Sequence, residues 1–195
     1  MKNFTAQKIA FVACFSALAA LLSLFDFNLP LFPLFIKLDF ADLPALIATF
    51  IFGPALGILI QIIRNFIHLF ISNTGGIGEL ANMLIGVSLI GTVGFLYHHV
   101  LKGKQPFLAL LAGILVMTSV AMLANYYLLL PLFSLFIPLD EIFAFSAQLI
   151  PFVHDKFTFV VYVIMPFNLI KGSIVAVFGY ALYKKLSPAF AHLTL

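Results

Sequence analysis

Charged residues make up only 9% of this chain, and cysteine occurs once, at Cys14. A soluble domain carries roughly 25% charged residues, because its surface must be covered by groups that water solvates. Here 64% of the residues are hydrophobic and the mean hydropathy is +1.19. One small core cannot bury that excess, so the solvent must be lipid. The single cysteine excludes a disulfide framework and a cysteine-rich metal site, and Cys14 reads as a small packing residue. Net charge is +3, but the basic residues do not cluster on one polar face, which argues against a nucleic-acid partner.

Catalytic motifs are missing too. No G-x-x-x-x-G-K-[ST] is present to cradle nucleotide phosphates, no H-E-x-x-H to hold zinc, and no G-x-S-x-G elbow. Gly75-Gly76-Ile77-Gly78 reads as an interhelical loop. His98 and His99 are adjacent, so on a helix they point about 100° apart and make poor joint metal ligands. His154-Asp155 reads as solvated. The chain therefore carries neither a visible catalytic set nor an energy-converting site of its own.

What is present is a series of apolar segments, each tested against the ~20 residues a helical span needs. Segment one runs from about Phe4 to Phe25. Lys2, Lys8 and Ser16-Ala17-Leu18-Ala19 loosely resemble a signal peptide, but the unbroken run to Phe25 favours a retained helix. The Pro- and Phe-rich stretch Asp26-Phe27-Asn28-Leu29-Pro30-Leu31-Phe32-Pro33 cannot continue as regular helix. Segment two covers Asp42 to Phe52, three covers Pro54 to Ile71, and four covers Gly78 to Val100. Segment five runs from Pro106 to about Phe133. A mixed connection around Asp140 and Glu141 leads to segment six, about Phe157 to Tyr183. The expectation is an all-α, polytopic membrane protein of six transmembrane helices, forming one domain over residues 1–195.

Segment two is short, about 16 Å as helix, and starting it at Leu38 puts Asp39 and Asp42 near an interface. Charge decides whether it crosses. If it does, Lys2, Lys8, Lys102, Lys104, Lys184 and Lys185 share one side. All seven acids (Asp26, Asp39, Asp42, Glu79, Asp140, Glu141, Asp155) then lie on the other side or at its edge. The positive-inside rule makes the lysine side cytoplasmic, with both termini there.

Arg64 and Lys171 fall well inside apolar segments, where an unpaired cation costs at least about 2.5–3.5 kcal/mol. Such groups face the interior or a cavity with a polar partner. Arg64 could neutralise an acid. Asn168 and Lys171 lie three residues apart on one helix face, and Pro166 frees a backbone carbonyl one turn earlier. Amide and ammonium together suit a neutral edge of carbonyls and ring nitrogens, or an anion. A second polar group is Asn125-Tyr126-Tyr127, near the outer end of segment five. A third is Glu79 with Asn82, which share a face at the outer end of segment four. The 24 Phe and six Tyr give planar walls. A mostly apolar, outward-open pocket with these few polar groups is the expected binding site. In segment one, Ala6, Ala10, Ala13, Ala17 and Ala20 make a smooth stripe for close helix approach, within the chain or with a partner.

Several motifs occur in a recognisable order: Leu38-Asp39-Phe40-Ala41-Asp42-Leu43-Pro44, Gly53-Pro54-Ala55-Leu56-Gly57, Arg64-Asn65-Phe66-Ile67-His68, Gly78-Glu79-Leu80-Ala81-Asn82, Asn125-Tyr126-Tyr127 through Pro131, and Pro166-Phe167-Asn168-Leu169-Ile170-Lys171-Gly172. Together they resemble the riboflavin-specific substrate-binding (S) components of energy-coupling-factor (ECF) vitamin transporters of bacterial plasma membranes. The resemblance implies six helices and capture of riboflavin, as transported ligand rather than cofactor, near the outer surface. It also implies delivery through one transmembrane T component and two ATPases. By that similarity Asn125, Asn168 and Lys171 hydrogen-bond the flavin. The loop from Leu38 through Asp39 and Phe40 to Asp42 covers it, and Ala13 and Ala17 dock on the T component; Glu79, Asn82 and Tyr126, from the polar groups above, are further ligand-binding candidates. Many members carry lysine where this chain has Arg64. Two alternatives are an S component or stand-alone transporter for another vitamin, and a membrane enzyme using Arg64 and His68.

Overall fold

The computed structural model of the chain describes residues 6–30, 32 and 36–190. The expected helix start at Phe4, Lys2 of the lysine set, and Leu31 and Pro33 of the Pro-rich stretch lie outside the described residues. Helix α1 is Ala6–Leu22, followed by a small antiparallel hairpin, β1 (Phe27–Asn28) with β2 (Lys37–Leu38), in which Phe27 faces Leu38. Helices α2 (Asp42–Phe52) and α3 (Pro54–Leu69) are split at Gly53, whose φ of 96° ends one helix before Pro54 starts the next. Next come α4 (Ile77–Phe95), α5 (Pro106–Ala124), α6 (Leu130–Phe133), α7 (Leu139–Leu149), α8 (Lys156–Phe159) and α9 (Met165–Phe190).

Three π-turns join these helices into longer rods: Leu96–Val100 extends α4, Asn125–Leu129 links α5 to α6, and Val160–Ile164 links α8 to α9. The last two end just before Leu130-Pro131 and Met165-Pro166. A proline cannot donate to the carbonyl four residues back, and widening to i→i+5 bonds carries the rod past that gap. Leu130 N–H bonds Asn125 O, and Met165 N–H bonds Val160 O. Rods of 24, 28 and 34 residues result, at Ile77–Val100, Pro106–Phe133 and Lys156–Ala189, each long and apolar enough to cross a bilayer. Helices α1, α2 and α3 are shorter apolar helices of 17, 11 and 16 residues.

Helix α2 is short because it is the axis of the bundle. Ten of its eleven residues are buried, and α1, α3, α4 and α9 pack around it. A helix apolar on every side belongs inside. Close approach of α3 depends on Gly57, where a Cβ would strike Thr49 Oγ1 and the Ala45 carbonyl. Its acidic start is buried within the protein, with Asp39 at 6% and Asp42 at 2% exposure. Two further elements were not expected. The Pro-rich stretch carries the hairpin, and the connection around Asp140 contains α7, which buries Ile142 and Ser146.

The two ends of the bundle differ. At one end Tyr97 and Tyr183 approach at 3.3 Å between hydroxyls, beside the loop of Lys102–Lys104. At the other, Phe136 packs near Gly75, bringing the α3–α4 and α6–α7 connections together. Here Asp155 caps α8. Its carboxylate accepts from the Thr158 N–H at 2.8 Å, while the Thr158 hydroxyl accepts from the Asp155 N–H. Hydrogen bonds from Thr158, first its backbone and then its hydroxyl, hold the Asp155 carboxyl below the usual carboxylate range. The cap therefore persists above the ordinary carboxylate pKa and is lost only as pH falls through this lowered value.

Apolar packing divides into two clusters. The cluster toward the lysine end includes Phe11, Leu46, Ile60, Leu89, Met117 and Val175. The other includes Leu38, Ala121, Leu130, Ile142, Phe159 and Phe167. Between them lies a layer of buried polar side chains.

Candidate functional site

That layer exists because four helices each carry a polar group at one level. Lys171 follows Phe167 of one cluster and precedes Val175 of the other. Arg64 is 1% exposed and Lys171 5%, yet neither is unpaired. Arg64 Nη1 lies 3.4 Å from Asp39 Oδ1 and 3.5 Å from Asp42 Oδ1. Lys171 Nζ lies 3.4 Å from Asp39 Oδ2 and 3.5 Å from Asp42 Oδ2. Two cations and two carboxylates make a neutral square, the arrangement a low-dielectric interior tolerates. Every side of it is longer than the ~2.7–2.9 Å of a tight charge-assisted hydrogen bond, so Lys171 is held by charge while its donors are not fully engaged.

Supporting bonds fix the square. Gln61 Nε2 donates to Asp42 Oδ1 at 2.6 Å, and the Ala41 N–H donates to Asp39 Oδ1 at 2.9 Å, anchoring the loop that leads into α2. Asn65 Oδ1 accepts from Arg64 Nη2 at 3.4 Å, and its amide donates to the Gln61 carbonyl. Gly86 of α4 makes room for the Gln61 amide, where a Cβ would collide with it. Sequence reasoning missed Gln61 and Asn65 as members of this site, and placed Asp42 only in the covering loop. The signal was present in Gln61, Arg64, Asn65 and His68, spaced as one polar stripe of α3.

Asn168 belongs to the same layer. It is 3% exposed, and its amide donates to the Ile164 carbonyl, the last residue of a π-turn, at 2.8 Å. Asn125 opens the other π-turn and donates to the Ala121 carbonyl at 2.8 Å. Both bonds use the amide nitrogen, so each side chain is braced on its own helix. Widened turns of this kind recur at functional sites. Leu38 is fully buried and Phe32 of the same loop meets the Phe167 ring at 5.4 Å, seating the loop on α9. Phe40 is half-buried between Phe27 and Phe178. Tyr126 is half-buried under Lys156, whose Nζ stands 4.5 Å from its ring centre.

Glu79 is not drawn into this layer. It accepts from His68 Nδ1 at 2.7 Å and from the Ser72 hydroxyl at 2.7 Å, tying the α3–α4 connection together. Asn82, one turn along α4, is half-buried. Arg64 and His68, one turn apart, therefore face different partners and do not converge as a catalytic pair. His98 Nε2 donates to the Thr49 carbonyl at 2.8 Å and His99 stacks on Phe95, so the adjacent histidines diverge as expected. Among the described residues no group of three His, Cys, Asp or Glu could hold a metal ion. Ala13 and Ala17 are exposed on α1. With Ile9, Val12, Ser16, Leu59, Ile63 and Ile67 they line an apolar depression of about 440 Å³ between α1 and α3.

An α-helical bundle of long apolar rods around a buried, charge-neutral polar layer has the form of a multi-pass membrane protein. The chain belongs to the family of ECF transporter substrate-specific components, whose sequence profile matches residues 7–183. It is similar to the riboflavin transporter RibU of Staphylococcus aureus (strain TCH60), 31% identical over 181 residues that cover 93% of this chain and 90% of the relative. It is likewise 31% identical over 185 residues to the riboflavin transporter FmnP of Bacillus subtilis (strain 168), covering 93% of each. A solved structure described as the S component of a bacterial ECF transporter superposes with a TM-score of 0.75 at 28% identity. It covers 94% of this chain and 97% of that one. The protein is thus a multi-pass membrane transporter component and not an enzyme.

Proposed function

We propose that the chain is the riboflavin-binding S component of an ECF transporter, which captures the vitamin at the outer face and delivers it inward once docked on its ATP-driven module. Riboflavin is the transported ligand and not a cofactor. The observation that carries this reading is the buried pairing of Asn168 and Lys171 on one face of α9, in a chain 31% identical to two riboflavin transporters. Amide and ammonium match the carbonyls and ring nitrogens of an isoalloxazine edge. The Lys171 ion pairs are loose enough for a ligand carbonyl to share its protons. Asn125 and Tyr126 complete the polar and aromatic contacts, the loop of Leu38, Asp39 and Phe40 forms the cover, and Glu79 and Asn82 flank it. Protein purified from riboflavin-containing medium should be yellow and should quench added riboflavin fluorescence. Lys171→Ala should weaken binding roughly 10- to 150-fold, since bonds to charged groups contribute about 1.5–3 kcal/mol. Unchanged affinity in both Lys171→Ala and Asn168→Ala would remove them from the site. Colourless protein without riboflavin affinity would point to another vitamin.

In this reading the single domain, residues 1–195, crosses the bilayer six times. The crossings are α1, α2, α3 and the three long rods. Both termini are cytoplasmic, in the plasma membrane of a bacterium, and the partners are a T component and two ATPases. The grouping of Lys102, Lys104, Lys184 and Lys185 at one end supports this orientation. In a Cys14→Ser background, cysteine at Ser72 or Asp140 should react with an impermeant thiol reagent on intact cells, and cysteine at Gly103 should not. Labelling at Gly103 from outside would overturn the orientation.

A further inference from the structure

Four buried side-chain polar atoms have no hydrogen-bond partner among the described residues; one is Ser16 Oγ on α1, and the other three, Thr118 Oγ1, Gln61 Oε1 and Arg64 Nε, belong to the central layer. Their residues are 5%, 0% and 1% exposed. A buried group left unpaired is costly, and native proteins leave few of them. Finding three in one layer calls for a common cause. Thr118 belongs to the layer by its neighbours: Met117 before it packs in the lysine-end cluster and Ala121 after it in the other. Gly172, next to Lys171, sits against Ile114 and Met117, which sets Thr118 and Lys171 at the same height of the bundle.

The identity of the free Gln61 atom is fixed by chemistry. An ionised carboxylate only accepts, so the Gln61 nitrogen must face Asp42 and its carbonyl oxygen is left over. The free set is therefore one acceptor-only atom at Gln61, one donor-only atom at Arg64, and a Thr118 hydroxyl able to do either, beside the underused donors of Lys171. One acceptor accompanied by several donors is the complement of a cyclic imide, where an N–H is flanked by two carbonyls. We propose that Thr118 and Gln61 are ligand-contacting specificity residues, Gln61 accepting from the imide N–H and Thr118 donating to a flanking carbonyl; this rests on the riboflavin reading above. Thr118 is not marked by sequence pattern, because a threonine in an apolar helix ordinarily bonds the carbonyl one turn back. Ser119 does so to Leu115, and Thr118 does not.

Thr118→Val removes the hydroxyl at constant shape. Without ligand it deletes an unpaired buried group, so melting temperature should hold or rise. Riboflavin affinity, read by fluorescence quenching, should nevertheless fall roughly 5- to 100-fold. Thr118→Ser should keep most of it. Wild-type protein should bind 3-methylriboflavin, which lacks the imide hydrogen, at least about tenfold more weakly than riboflavin. Thr118→Val binding riboflavin as wild type does, whatever its melting temperature, overturns the assignment of Thr118. Equal affinity of wild type for riboflavin and its 3-methyl analogue overturns that of Gln61. If wild type binds no riboflavin at all, the functional reading falls and takes this proposal with it.

Discussion

Asp42→Asn should lower the thermal stability of the detergent-solubilised, ligand-free protein by on the order of 10 °C. The change keeps the shape of the side chain and an oxygen for the Gln61 amide, but it leaves Arg64 and Lys171 sharing the single charge of Asp39. Breaking a buried ion pair by removing one partner costs about 3–5 kcal/mol, because the surviving charge stays buried without compensation. For a chain of this size each kcal/mol moves the midpoint by roughly 2–4 °C. The loss should be conditional on charge, not on the residue itself. Combining Asp42→Asn with Arg64→Met restores neutrality, so the double variant should melt above the value expected from summing the two single effects. A single variant melting within about 2 °C of wild type would show that the Asp42 charge is not needed. Strict additivity in the double variant would show that the two groups are not coupled.

The square that this experiment dissects was only half legible in the sequence. Two cations inside apolar segments announced that partners had to exist, and Arg64 was open to neutralising an acid. What a linear reading could not supply was the pairing, since Lys171 and Asp39 are 132 residues apart and meet only when α9 closes on α2. The burial of Asp42 was hidden for the same reason. Judged as an isolated segment, an 11-residue helix with acids at its start belongs near water. Judged as the axis of a bundle it needs no lipid-facing length, and its acids are met by cations from its neighbours. Breaks between helices were easier, because Gly53-Pro54, Ser72–Gly76 and Lys102–Lys104 interrupt helices for local reasons. Elements without a local signature escaped: the hairpin has two residues per strand, and α7 mixes acids, small residues and Phe without a long apolar run. Within the site, α9 was the most readable element, since Pro166, Asn168 and Lys171 lie within two turns. Thr118 was the least, because its distinguishing property is a bond it does not make.

Ala13→Trp or Ala17→Trp should abolish ATP-dependent riboflavin uptake while leaving riboflavin binding to the isolated protein unchanged. Packing makes this split sharper than the alanine pattern alone could. The face of α1 that packs inward is Phe11, Val12, Ser16 and Ala19, all buried. Ala6, Ala10, Ala13 and Ala17 are exposed, and Ala20 is half-buried. The smooth stripe is therefore largely turned away from the chain's own core. With α3 it forms an apolar depression that a helix of another membrane protein could enter, small side chains permitting close backbone contact. An indole placed at Ala13 or Ala17 would fill the depression and hold a partner helix off. Both residues are exposed and line the depression with none of the side chains of the polar layer, so the ligand site should survive. Uptake in cells or proteoliposomes and fluorescence quenching by the purified variant measure the two properties separately. Loss of both together would mean that the stripe supports the fold. Intact uptake with either tryptophan would place the docking surface elsewhere on the bundle.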